Sequence, residues 1–169
     1  SSSRDLPGRK ATKLEGGYTL LELMATVAVA AVLLAIAGPG LTNMMNDNRL
    51  TSQVNQFVTA MNIARSEAIK RGANINVVAT DSSAAADEWG AGWSVVVVST
   101  GTTLKIFSAL DGSSTLNSGG NISTFTYSAN GRASATDTLT LCDNRSAETG
   151  RQITVSTTGR VSTTDVVCS

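Results

Sequence analysis

From Tyr18 to Ala37 the chain is almost wholly apolar, broken by the single charge of Glu22, and a short basic segment ending in Gly16-Gly17 stands directly before it. At 1.5 Å per residue a helix of roughly 20 residues reaches across a bilayer, so this pattern predicts a membrane-spanning helix. A carboxylate costs roughly 2.5–3.5 kcal/mol near the middle of a span and less near its end, so Glu22 calls for a polar partner. Gly38-Pro39-Gly40 then interrupts the pattern. Pro39 removes a backbone donor and crowds the preceding turn, which predicts a kink rather than a stop. Helical spacing resumes with Leu50, Val54, Phe57, Met61, Ala64 and Ala68, alternating four and three apart to form one apolar stripe. Asn48, Arg49, Gln53, Asn55, Gln56 and Asn62 lie on the other face and are expected to meet solvent or a polar subunit contact. Glu67 and Arg71 stand four apart, Lys70 and Arg71 suit the negative end of the helix dipole, and Gly72 is the expected C-cap. A nearly continuous helix from Tyr18 to Arg71 would run about 80 Å. The stripe is too short for a coiled coil, so packing on a sheet is expected.

From Ile75 onward Thr, Ser, Val and Gly dominate, and short runs between turn residues read as strands. The expected strands are Ile75 to Ala79, Trp93 to Ser99, Leu104 to Leu110, Ile122 to Ser128, Leu139 to Cys142 and Gln152 to Ser156, with another near Val161. Asn130-Gly131 is a hairpin signal, whereas Asp81 to Glu88, Asp111 to Asn121 and Asp143 to Gly150 read as exposed loops. Gly-Arg recurs at 131–132, 150–151 and 159–160 without a fixed period. One N-terminal helix feeding an antiparallel sheet makes the fold class α+β. The organisation expected is a leader at 1–17, a membrane half of the helix at 18–37, an amphipathic half at 38–71 and a β domain at 72–169.

Charge refines this picture. Residues 1–17 carry Arg4, Arg9, Lys10 and Lys13 against Asp5 and Glu15, a net +2, and positive charge before a span keeps that side cytoplasmic. The remainder holds nine basic and eleven acidic side chains, a net −2, which offers no electrostatic footprint for strong nucleic-acid binding overall. The chain starts at Ser1 without a Met, so the leader is expected to be incomplete. With no histidine there is no Ser-His-Asp or Cys-His arrangement and no His-containing zinc site, so neither an enzyme nor a metal or cofactor is expected. Asp81, Asp87 and Glu88 lack the spacing of an EF-hand and read as solvated loop charge. Trp89 and Trp93, flanked by glycines, read as core or subunit contact rather than as a stacking platform. Cys142 and Cys168, exported to an oxidising compartment, are expected to form a disulfide, with two buried thiols as the alternative.

Gly17-Tyr18-Thr19-Leu20-Leu21-Glu22 resembles the class III signal of type IV prepilins and pseudopilins. The resemblance implies that prepilin peptidase cuts after Gly17, that the new N-terminus at Tyr18 is methylated, and that Glu22, as fifth mature residue, meets the N-terminal amine of a neighbouring subunit. The family usually begins its mature chain with Phe, and Tyr18 keeps the aromatic ring. A cut between Gly16 and Gly17 is the alternative, but the cut after Gly17 restores the family spacing to the glutamate. Ala64-Arg65-Ser66-Glu67-Ala68-Ile69, Trp89-Gly90-Ala91-Gly92-Trp93, Leu141-Cys142, Arg151-Gln152-Ile153-Thr154-Val155 and Gly159-Arg160-Val161 extend the resemblance to the GspH/FimT/FimU family of minor pilins and pseudopilins. Within it the tryptophan motif and the two late cysteines look most like the FimU branch.

The resemblance implies a type IV pilin-like fold and a role in a pilus priming or tip complex, supporting assembly, twitching and DNA uptake. Implied partners are other minor pilins, the major pilin, prepilin peptidase and the inner-membrane assembly platform. The implied location is the inner membrane, with the β domain periplasmic, and then the surface pilus. Small residues such as Ala25, Ala28, Ala31 and Ala35 would let helices approach closely, with plain lipid exposure as the alternative. A GspH-like pseudopilin of type II secretion and a FimT-like DNA-binding pilin are the other readings. FimT-like members bind DNA through Gly-Arg-x-Arg, but here the stretch reads Gly159-Arg160-Val161-Ser162 and lacks the second arginine. DNA contact, with Arg151 and Arg160 as its nearest residues and Arg132 and Arg145 as further members of a cluster, is therefore not favoured.

Overall fold

Leu50, Val54, Phe57, Met61, Ala64 and Ala68, the stripe read from the sequence, are all buried, and Ala60 joins them on the same helical face. They belong to α1, Leu20–Arg71, in a computed structural model that describes residues 17–81, 83, 87–145 and 147–168, without the side chains of 37–39. The leader residues 1–16, and the Pro39 side chain to which the kink was assigned, lie outside the described residues. Two compact units divide the chain between Leu41 and Thr42. In the first, the side chains of Leu20–Ile36 are exposed all around the helix, with Leu23, Val27 and Leu34 representative. A helix apolar on every side requires cover from lipid or other helices. Among the described residues no single helical segment is long and apolar enough to cross a membrane, although Leu20–Ile36 and Gly40–Arg71 meet that requirement together. The helix starts at Leu20 rather than Tyr18, so Leu20–Ile36 spans about 26 Å, a little less than the roughly 30 Å hydrocarbon core.

In the second unit, the remainder of α1 is followed by β1 (Ile75–Ala79), β2 (Trp93–Val97), β3 (Thr103–Phe107), β4 (Thr115–Ser118), β5 (Thr124–Tyr127), β6 (Asp137–Cys142), β7 (Thr149–Val155) and β8 (Val161–Val167). The strands form two four-stranded antiparallel sheets, β3-β2-β1-β5 and β4-β6-β7-β8, where the sequence had suggested one. Register places Val77 opposite both Val95 and Phe125 in the first sheet, and Leu139 opposite Ile153 in the second. Alternate residues of β1, β2, β5 and β6 are buried, which is the period-two pattern of sheets covered on one face. One core unites the helix stripe with both inner faces. At its centre Phe57 packs edge-on against Trp89 and Trp93, with ring centroids 5.1 and 5.2 Å apart. Gly72, at φ +62°, ends the helix as expected, and Glu67 pairs with both Lys70 and Arg71.

Several readings need correction. The loop expected from Asp111 to Asn121 contains β4, whose backbone is satisfied from a distant segment. The Asp87 carboxylate accepts the Leu116 N–H at 2.8 Å, Glu88 accepts that of Ser118 at 3.0 Å, and the Trp89 N–H donates to the Leu116 carbonyl at 3.3 Å. Glu88 is accordingly buried, not a solvated loop charge. On α1, Gln53 is buried and donates to the Asp111 carbonyl at 2.9 Å, and Arg49 pairs with Asp143 at 3.8 Å, so this part of the polar face meets the protein's own loops. The Asn130-Gly131 signal marks a tight turn closed by a single Tyr127–Ala133 bridge, after which the chain crosses from one sheet to the other.

Candidate functional site

The chain enters α1 through three exposed, non-helical residues, Gly17, Tyr18 and Thr19. The Thr19 hydroxyl accepts the Glu22 N–H at 3.2 Å and the Thr19 carbonyl accepts the Leu23 N–H at 3.1 Å, the geometry of an N-cap. The Gly17–Tyr18 bond therefore lies outside the helix, and a Cβ placed on Gly17 meets nothing within 4 Å. Glu22 lies in the first turn, on an apolar flank shared with Ala25, Thr26, Val29, Ala30 and Leu33. No hydrogen bond or ion pair engages its carboxylate among the described residues.

In the second unit, the residues considered for other chemistry have structural tasks. Trp89 and Trp93 are fully buried, and the Trp89 indole N–H donates to the Ile122 carbonyl at 2.8 Å. Asp81 accepts from Ser83, its carboxyl held below the usual range by those bonds, whereas Asp87 and Glu88 face β4. Burial pushes the Asp87 carboxyl up, against the Leu116 N–H bond, which favours its charged form. Among the described residues no three His, Cys, Asp or Glu side chains gather into a metal-binding group.

Cys142 and Cys168 form a disulfide, with Cα atoms 5.9 Å apart, that ties the end of β6 to the residue after β8. It closes a loop with a sequence separation of 26, for which the chain-entropy model gives about 3–4 kcal/mol. Replacing both cysteines by serine is expected to lower stability by about that amount, read as a lower urea midpoint, with a steeper denaturant slope because the opened loop exposes more surface on unfolding. A midpoint equal to that of the oxidised protein would show that the crosslink contributes nothing.

The four arginines considered for DNA divide into two groups. Arg145 pairs with Asp47 at 2.8 Å and with Asp143 at 2.9 Å, and Arg151 pairs with Asp165 at 2.8 Å while reaching Thr51. Arg132 and Arg160 occupy two turns beside Arg65, some four to five helical turns further along α1 from Asp47 and Thr51. Arg151 and Arg160 thus lie at opposite ends of the β7–β8 hairpin and form no common face.

Arg65 is the residue that sequence reasoning missed. Its Nε donates to the Gly131 carbonyl at 3.1 Å and its guanidinium reaches the Thr158 carbonyl at 3.5 Å, so one helix side chain joins both turns. Burial pushes the neighbouring Tyr127 hydroxyl up to about 12, with Arg65 acting in the opposite direction. The available signal was the repeated pattern Ser-x-x-Gly-Arg at 128–132 and 156–160.

A family model described as Type II transport protein GspH matches residues 53–159, more than half of the chain. The chain belongs to the GspH family. A second model, the Prokaryotic N-terminal methylation motif, matches residues 12–38, the segment holding Gly17, Tyr18 and Glu22. Two crystal forms of the type IV minor pilin FimU of Pseudomonas aeruginosa strain PAO1 are similar in structure. One shares 25% identity at a TM-score of 0.60, covering 70% of this chain and 90% of that one. The other shares 25% identity at 0.57, covering 68% and 91%. No curated protein sequence matches. Fold, methylation motif and family together make this a type IV minor pilin or pseudopilin, from a class of structural filament subunits associated with other pilins and their assembly machinery.

Proposed function

We propose that this chain is a minor pilin, cut after Gly17, methylated at Tyr18, and built into a type IV pilus near its priming or tip complex. The observation that carries this reading is the likeness to FimU, which extends over 90% of that minor pilin at a TM-score of 0.60. The Gly17–Tyr18 bond is exposed and lies outside the helix ahead of the Thr19 cap, which supports its accessibility to a peptidase. The all-round apolar helix and the basic leader favour an inner-membrane precursor with its N-terminus cytoplasmic and residues 72–169 periplasmic. In assembly, Glu22 pairs with the Tyr18 amine of an adjacent subunit, because an unpaired charge in lipid is costly and a paired one sets axial register. Supporting twitching and DNA uptake belongs to this reading through the pilus itself, and direct DNA contact is not favoured, because of the four arginines considered Arg145 and Arg151 are neutralised by ion pairs and Arg132 and Arg160 alone are few for binding a polyanion.

A pseudopilin of type II secretion is the second reading, favoured by the description of the matching family. Deleting the gene in its source bacterium separates the two. Loss of sheared surface pili and of twitching, restored by the wild-type gene, supports the minor pilin. Normal pili with impaired secretion of folded proteins assigns the chain to the secretion filament.

A further inference from the structure

Two turns of the β domain share one construction. In Ser128–Arg132 and in Ser156–Arg160 the serine N–H donates to the arginine carbonyl at 3.0 Å, the serine hydroxyl donates to the same carbonyl at 3.2 Å, and the glycine N–H donates to the serine carbonyl at 2.8 Å. Gly131 and Gly159 take φ values of +76° and +78°, a region other residues enter at a cost. The turns also touch, for a Cβ on Gly159 would fall onto the Gly131 carbonyl oxygen. The two arginines follow their glycines directly, so their Cα atoms are separated by about 14 Å at most, from 3.8 Å per residue step. Arg65 fastens both turns to α1, which makes the pair of turns a rigid platform.

Arg132 and Arg160 are exposed, and among the described residues neither guanidinium has a hydrogen bond or ion pair. Arg65 is bonded only to carbonyls, so the platform holds three cations with no carboxylate on it. Of the other six cations of the second unit, Arg49, Lys70, Arg71, Arg145 and Arg151 have acidic partners, and Lys105 lies over the Phe107 ring at 5.9 Å from its centroid. We infer that the twin turns form a docking site for carboxylates on a neighbouring filament subunit, with Arg132 and Arg160 as paired donors. Two arginines carried on fixed turns can each take a carboxylate in fork geometry, and two contacts on a domain of otherwise balanced charge are too few for firm polyelectrolyte binding of nucleic acid. The inference rests on the filament-subunit reading above.

The test uses the full chain expressed in its source bacterium. R132E/R160E is expected to be processed and oxidised normally, as seen by mobility on non-reducing gels, yet to be depleted roughly tenfold or more from sheared filaments, because like charges then face the partner. R132K/R160K preserves charge and should enter filaments. Treating its filaments with a carbodiimide, which joins an amine to a carboxylate in direct contact, should link residue 132 or 160 to an acidic residue of another subunit, identified by mass spectrometry. Undiminished incorporation of the glutamate variant, or filaments of the lysine variant that give no such link, would overturn the inference. So would loss of DNA retention with normal incorporation, which would assign the arginines to nucleic acid. Absence of the wild-type chain from sheared filaments would instead overturn the filament reading itself.

Discussion

Glu22→Ala is expected to leave the chain processed and folded but to reduce its presence in sheared filaments about tenfold or more. On the pairing proposed above, the substitution leaves a neighbour's terminal amine unpaired among apolar helices, and an uncompensated charge near the end of a span costs less than the roughly 2.5–3.5 kcal/mol of its middle, or about one to two powers of ten in occupancy. Glu22 stands in the first turn of α1 and has no partner among the described residues, which leaves its carboxylate available for the pairing proposed above. The measurement compares membrane and filament fractions by immunoblot, with mass spectrometry of the N-terminus reporting cleavage after Gly17. Glu22→Asp, which keeps the charge on a shorter arm, should recover part of the incorporation. Wild-type amounts of Glu22→Ala in filaments would remove the pairing role and reduce Glu22 to a helix-terminal charge near the macrodipole.

Phe57→Ala is expected to cost about 3–5 kcal/mol of stability, a loss at the upper end of the range for single core substitutions. Phe57 is fully buried and touches both tryptophans edge-on, a geometry that adds about 0.5–1.5 kcal/mol per pair beyond area burial. Trp89 and Trp93 are the chain's two tryptophans, so their fluorescence reports this site directly during urea unfolding in detergent. The comparison is Gln56→Ala on the exposed neighbouring position, expected within about 0.5 kcal/mol of wild type. A Phe57→Ala midpoint close to that of Gln56→Ala would mean that helix and sheets are held together elsewhere.

Both predictions start from residues that sequence periodicity alone picks out, and the reason is local. A stripe recurring every three to four residues, and a charge inside an apolar run, are visible because the helix places neighbours in sequence on one face. The burial of Leu50 through Ala68, and the match of the N-terminal motif at residues 12–38, follow from such short-range patterns. Strand β4 is the contrary case. Thr115-Leu116-Asn117-Ser118 has one large apolar residue and no alternation to betray it, and its edge is completed by Asp87, Glu88 and Trp89, about thirty positions earlier. The division into two sheets is equally non-local, since the connection from β5 to β6 passes through a turn that reads as an ordinary hairpin.

The helix and its apolar stripe, the strand-rich second half, the N-terminal motif and the α+β class are all legible along the chain, because they depend on periodicities of two and 3.6 and on residues adjacent in sequence. Which of the distant charges find partners emerges only on folding. Folding gave Arg145 and Arg151 to Asp47 and Asp165, buried Glu88 against β4, and set Arg132 and Arg160 on two turns clasped by Arg65. A side chain's charge can be read from its letter, but neutralisation depends on partners brought within about 4 Å, and for Arg145 and Arg151 the partners Asp47 and Asp165 come from distant positions, the first 98 residues away.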